Sequence, residues 1–144
     1  MKEVAKYSGC FVCGQQNDIG LKARFYFDND RAVTEYTADR RFEGYHDIFH
    51  GGITATLLDE VMIKALLAKD IYALTVELTV RFHRAVFIGE KLSLVGYLEK
   101  QKGRLYITSG EVTNGDGEKV ATASGKYVEV KADMKGKLLE SLDT

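Results

Sequence analysis

From Ile53 to Ala68 apolar residues recur at helical spacing and leave almost no side of the helix free of them. Ala55, Leu58, Val61, Met62, Ala65 and Ala68 form one stripe. The opposite arc carries Thr56, Asp59, Glu60 and Lys64, but also Ile63 and Leu67. A helix this apolar has to be covered twice, by its own sheet on one side and by a second subunit on the other. Asp59 falls on the border between stripe and arc, where losing part of its hydration costs some kcal/mol unless a partner or a function compensates. Glu60 and Lys64, at i and i+4, read as an exposed ion pair.

The remaining chain is written in strands. Leu21–Phe27 alternates apolar and polar residues, Asp28-Asn29-Asp30 supplies a turn, and Arg31–Thr37 returns in β-branched and aromatic residues. Beyond the helix, Leu74, Val76, Leu78, Val80 and Phe82 alternate with Thr75, Glu77, Thr79, Arg81 and His83, which puts Thr75 on the polar side of its strand. Leu92–Lys100, Arg104–Thr113 and Lys119–Val130 follow, the last two joined by the hairpin turn Asn114-Gly115-Asp116-Gly117. The class is α+β, in the order β-β-α-β-β-β-β: an antiparallel sheet of about six strands curling around one central helix buries that helix best. Residues 1–20 read as an N-terminal loop, 21–131 as a single domain, and 132–144 as a tail or short helix through Leu138, Leu139 and Leu142. Ala38–Phe49 shows neither period and reads as an ordered, functional loop leading into Gly51-Gly52.

Charge narrows the partners. Lys and Arg number 20 against 21 Asp and Glu, so no nucleic acid or anionic membrane is expected. No apolar run approaches the roughly 20 residues of a membrane span, and a cytoplasmic protein is the expectation. Cys10-Phe11-Val12-Cys13-Gly14 reads first as a structural turn with free thiols. Metal binding and redox chemistry stay open for it. A closed zinc site needs four ligands, and the only histidines are His46, His50 and His83, although a two-fold dimer could pool two such pairs. No metal and no cofactor is assigned.

His50-Gly51-Gly52 with Asp59 seven positions after Gly52, followed by Glu77-Leu78-Thr79-Val80-Arg81-Phe82, resembles the hot-dog-fold acyl-CoA thioesterases of the phenylacetate-pathway and 4-hydroxybenzoyl-CoA thioesterase type. The Cys-x-x-Cys-Gly opening running to Gly20-Leu21-Lys22 is similar to one branch of that superfamily. The resemblance implies a hot-dog fold, an acyl-CoA substrate, and a homodimer or dimer of dimers. It implies that the Gly51 backbone N–H polarises the thioester carbonyl, while Asp59 of the other subunit attacks it or activates water. Thr75 stands two residues before Glu77, where relatives have a hydroxyl that positions water. His50 would orient the thioester or cap the turn. Gly52 would give the substrate room, and Arg81 and Arg84 would meet CoA phosphates. The chain departs from the pattern at Glu43-Gly44, near the place of an amide, at Asp47, where relatives tend to have Gly, and at His46 and Ala85, where they have Pro. Two other readings are a non-catalytic acyl-CoA-binding domain and a hydratase or dehydratase, the latter wanting a histidine that works with a carboxylate of its own motif.

Overall fold

The computed structural model describes residues 1–142; of the expected tail, positions 143–144 lie outside the described residues. The strands are β1 (Lys2–Glu3), β2 (Tyr26–Asp28), β3 (Arg31–Thr37), β4 (Ala73–Phe82), β5 (Lys91–Lys102), β6 (Leu105–Thr113) and β7 (Lys119–Glu129), and the helices are α1 (Gly51–Leu67) and α2 (Ala132–Ser141). The seven strands join in one antiparallel sheet ordered β1-β2-β3-β5-β6-β7-β4. Helix α1 lies across it and touches β3, β5, β6, β7 and β4.

Small residues let the helix settle onto the sheet. Ala32, Gly96, Gly110, Ala123 and Val80 stand in register on five neighbouring strands. A Cβ at Gly96 would lie 2.6 Å from the Val61 carbonyl oxygen, and one at Gly110 would lie 3.1 Å from Met62 Cγ. The backbone of α1 therefore rests directly on β5, a distance that only glycine permits.

The buried face of α1 is Leu57, Leu58, Val61, Met62, Ala65 and Leu66, begun by Thr54. Ala55 and Ala68 are only half-buried, so the stripe is turned from the expected one. The reason lies outside the helix. The N-terminal segment folds over the arc, with Val12, Cys13, Leu21, Ala23 and Phe25 buried in the same core. Lys64 is 3% exposed, 3.7 Å from Glu60, donates to the Ala5 carbonyl and sits 6.0 Å from the centre of the Phe25 ring. The expected exposed ion pair is thus a covered one. Ile63 and Leu67, attributed above to a subunit interface, line a cavity with Tyr7 and with Leu138 and Leu142 at the C-terminal end.

Two strands differ from their expected extents. The run Leu21–Phe27 is regular only from Tyr26, because Lys22 adopts φ +56° and interrupts the extended backbone; upstream, single bonds tie Leu21 to Phe11, Ala23 to Val12 and Phe25 to Val4. In β4 the register against β7 slips between Thr75 and Glu77: Thr75 pairs with Tyr127 and Glu77 with Lys126, leaving Val76 as a bulge. One extra residue exchanges the two faces of a strand. Ala73 and Thr75 consequently share the helix side with Leu78 and Val80, and Thr75 is not on the polar side as alternation alone requires.

Candidate active site

The loop before α1 is held by charge. Asp39 accepts the Arg41 N–H at 2.8 Å and pairs with its guanidinium at 3.0 Å, opening the 3-10 turn Arg40–Phe42. Arg40 bridges Glu43 at 3.2 Å and Asp47 at 2.8 Å, and Glu43 also accepts the Asp47 N–H at 3.0 Å. Asp47 has φ +63°, the left-handed conformation that suits the glycine implied there by the family resemblance and that Asp adopts more readily than most residues. The departures at 43 and 47 therefore answer each other: a carboxylate that fastens the loop, and a residue that tolerates its turn. The hydrogen bond from Arg40 holds the Asp47 carboxyl below the usual carboxylate range.

At the end of this loop His50 is the N-cap of α1, with φ −65° and ψ 126°. Its Nδ1 accepts the Gly52 N–H at 2.9 Å, and its carbonyl accepts from Ile53 at 3.0 Å and Thr54 at 3.2 Å. Of the four leading amides of the helix, three are committed. The Gly51 N–H has no acceptor among the described residues, and Gly51 borders two open clefts of about 370 and 570 Å³. The His50 side chain thus caps the turn, and its Nδ1 takes up the Gly52 N–H.

Two turns along, Asp59 is gripped from the sheet. Its Oδ1 accepts from the Tyr127 hydroxyl at 2.8 Å and from Thr75 Oγ1 at 3.0 Å. Oδ2 accepts no hydrogen bond among the described residues. Tyr127 is fully buried, and burial first, then the charge of Asp59, pushes its hydroxyl far above the ordinary phenol range, so it stays a proton donor. Gly125 makes room for it: a Cβ there would lie 2.6 Å from Tyr127 Cε1. Tyr127 was not identified in the sequence. Alternation marks it only as a core residue of β7, and its place opposite Thr75 depends on the bulge in the neighbouring strand.

The chain thus assembles two groups, Asp59 with Thr75 and Tyr127, and Gly51 with His50 and Gly52. It does not bring them together, since eight residues of helix separate Gly51 from Asp59 by about 12 Å. Arg84 stands at the 370 Å³ cleft beside Gly51 and is paired with Glu118 at 2.8 Å. Arg81 follows the opposite face of β4 from Phe82, the ring next to Gly51, and so points away from that cleft. Chemically, a carboxylate with one oxygen fixed and the other available suits attack or base catalysis, and an uncommitted N–H at a helix N-terminus suits developing negative charge.

A curved antiparallel sheet laid around one central helix is the hot-dog fold. The chain belongs to the thioesterase superfamily, whose sequence profile matches residues 46–121. Among curated proteins none matches the sequence. Among solved structures, a thioesterase superfamily protein is similar over 83% of this chain at 27% identity and a TM-score of 0.78, and this chain spans 62% of that protein's length. The Escherichia coli PaaI protein of the phenylacetic acid degradation operon is similar over 77% of this chain and 81% of its own, at 23% identity and a TM-score of 0.72. A hypothetical thioesterase of Streptococcus pneumoniae TIGR4, solved with coenzyme A, is similar over 75% and 85%, at 17% identity and a TM-score of 0.71. That pneumococcal protein has also been solved with an aspartate replaced by alanine and with a threonine sixteen positions further on replaced by alanine. No helix among the described residues is long and apolar enough to cross a membrane.

Proposed function

We propose that the protein is an acyl-CoA thioesterase working as a homodimer, in which each active site takes the Gly51 N–H from one subunit and Asp59 from the other. The observation that carries this reading is the state of the two groups: one free amide at the head of α1, and one carboxylate two turns away with a single oxygen fixed by Thr75 and Tyr127. The thioester oxygen is bound at Gly51, where negative charge grows as the carbonyl becomes tetrahedral. Asp59 either attacks that carbon, giving a mixed anhydride that water then cleaves to the free carboxylate, or takes the proton of a water that attacks it; in both, the C–S bond breaks and the thiolate of CoA leaves. Thr75 and Tyr127 are positioning residues that aim the carboxylate. The aspartate and threonine altered in the pneumococcal relative stand at the same separation as Asp59 and Thr75 here, which supports this pairing.

Support for a partner comes from β4. It is an edge strand, it is long, and it exposes Leu74, Val76 (59% exposed) and Phe82, a surface that single-chain proteins avoid leaving open. Arg84 lines the cleft beside Gly51, and in this reading its guanidinium meets the phosphates of CoA.

Thiol release from a panel of aromatic, short-chain and long-chain acyl-CoAs, measured for the wild type and Asp59→Asn, tests the reading. The wild type should cleave at least one class, and Asp59→Asn should lose about 10²-fold or more of kcat. Full activity in Asp59→Asn removes the carboxylate from the mechanism; binding without cleavage of any acyl-CoA by the wild type removes the activity.

A further inference from the structure

About 100° round α1 from Asp59, at the next residue of the helix, lies a cluster that hydrolysis does not use. Cys10 Sγ, Cys13 Sγ and a Glu60 carboxylate oxygen all lie within 4.8 Å of one another. Cys13 is buried and Glu60 is 17% exposed. The turn that presents the thiols is tightly made. The Gly14 N–H donates to the Cys10 carbonyl at 2.9 Å, the Cys13 N–H points at Cys10 Sγ at 3.4 Å, and a Cβ on Gly14 would lie 2.4 Å from the Ser8 carbonyl oxygen. Both sulfurs therefore meet in one place, beside Glu60 in the third turn of the helix.

We propose that Cys10, Cys13 and Glu60 form a three-ligand site for a thiophilic divalent cation of the zinc type, fastening the N-terminal segment to the helix that carries Asp59. Tetrahedral zinc with bonds of about 2.3 Å to sulfur and 2.0–2.2 Å to oxygen needs donor atoms about 3.5–3.8 Å apart, within reach of small side-chain rotations from the present grouping. The charges close. Two thiolates and one carboxylate bring three negative charges to a divalent ion, and the remaining one faces the Lys64 ammonium, 3.7 Å from Glu60. Binding forms two metal–sulfur bonds and one metal–oxygen bond, and the protons of the Cys10 and Cys13 thiols pass to solvent. The fourth position opens on the cavity of about 240 Å³ between Ile63, Leu67 and Leu138 and is taken by water.

The full-length protein, reduced and stripped of metal, is titrated with Co²⁺. One equivalent per chain should bring up the near-ultraviolet thiolate-to-cobalt band with intense four-coordinate visible bands; Cys10→Ser should abolish the first, and Glu60→Gln should weaken binding by at least about tenfold. Absence of the thiolate band in the wild type, or equal affinity in Glu60→Gln, overturns the proposal. The Glu43, His46 and Asp47 group has no sulfur and cannot give that band. A second measurement needs no variant: Zn²⁺ should protect the half-buried Cys10 of the wild type from alkylation, and Cys10 labelling that is the same with and without Zn²⁺ overturns the site.

Discussion

The Tyr127 hydroxyl lies 2.8 Å from Oδ1 of Asp59 and 3.2 Å from the Asp59 backbone oxygen, so one buried phenol fixes both the side chain and the helix position that bears it. A hydrogen bond to a charged group contributes about 1.5–3 kcal/mol. Tyr127→Phe should lower kcat for acyl-CoA hydrolysis by about tenfold or more and reduce stability in urea unfolding. Thr75→Ala, at an exposed position, should lower kcat with a stability change of about 0.5 kcal/mol or less. Unchanged kcat in both variants would show that the carboxylate needs no aiming.

The free amide of Gly51 can be removed without a side chain being the issue. Gly51 is the first helical residue, where proline is well accepted, His50 already has the extended conformation that precedes proline, and a Cβ at 51 would make only ordinary contact with Phe82 at 3.5 Å. Gly51→Pro should fold normally yet lose about 3–4 kcal/mol of transition-state stabilisation, read as a 10²–10³-fold drop in kcat. Mixed after unfolding with inactive Asp59→Asn, it should recover about a quarter of wild-type activity, because half of the dimers then hold one intact site. No recovery means that the two groups do not meet across subunits.

His50 caps α1 through its side chain. His50→Asn should keep the helix start and most of the activity, whereas His50→Ala should cost about 1 kcal/mol in unfolding free energy. A large loss of kcat in His50→Asn with unchanged stability would instead give the imidazole a part in the chemistry.

Gly96 and Gly110 separate backbone from side-chain crowding. Gly96→Ala meets the Val61 carbonyl, which cannot move without the helix, and should destabilise by about 2–4 kcal/mol; Gly110→Ala meets the flexible Met62 and should cost less, about 1–2 kcal/mol. Thermal melts that rank the two the other way would deny that α1 rests on β5.

In metal-free, reduced protein, Glu60 makes stability depend on pH in a direction opposite to a paired carboxylate. Its folded value near 7 lies above the ordinary 4.5, chiefly through burial and then the Cys10 charge, with Lys64 opposing. The folded state therefore holds the extra proton between these values, and the stability it brings is present below pH 4.5 and lost as pH rises through 7. Glu60→Gln should match the wild type near pH 4.5 and exceed it by up to about 3 kcal/mol at pH 8. Parallel stability curves would contradict the burial of this charge.

Much of this was legible in residue order. The spacing of Ile53–Ala68 marked the central helix, and alternation marked the strands that cover it, because a two-residue and a 3.6-residue period leave different traces in hydrophobicity. His50-Gly51-Gly52 and Asp59 stood out as residues that a purely structural helix would not choose. What could not be read were relations between elements. The N-terminal segment covers Lys64 through contacts across some sixty positions, and its polar, irregular composition resembles a free loop. The grip of Thr75 and Tyr127 on Asp59 needs the pairing of β4 with β7, and no local pattern announces a bulge.

That bulge at Val76 makes β4 a strand with two allegiances. Its first residues serve the carboxylate and its last ones, through Phe82, border the amide of Gly51, though strict alternation would have set Thr75 and Phe82 back to back. Deleting the single residue Val76 would leave every named site residue in the chain and still take one of them out of reach of its partner. The unit of function along this edge is thus a count of residues as much as their identity.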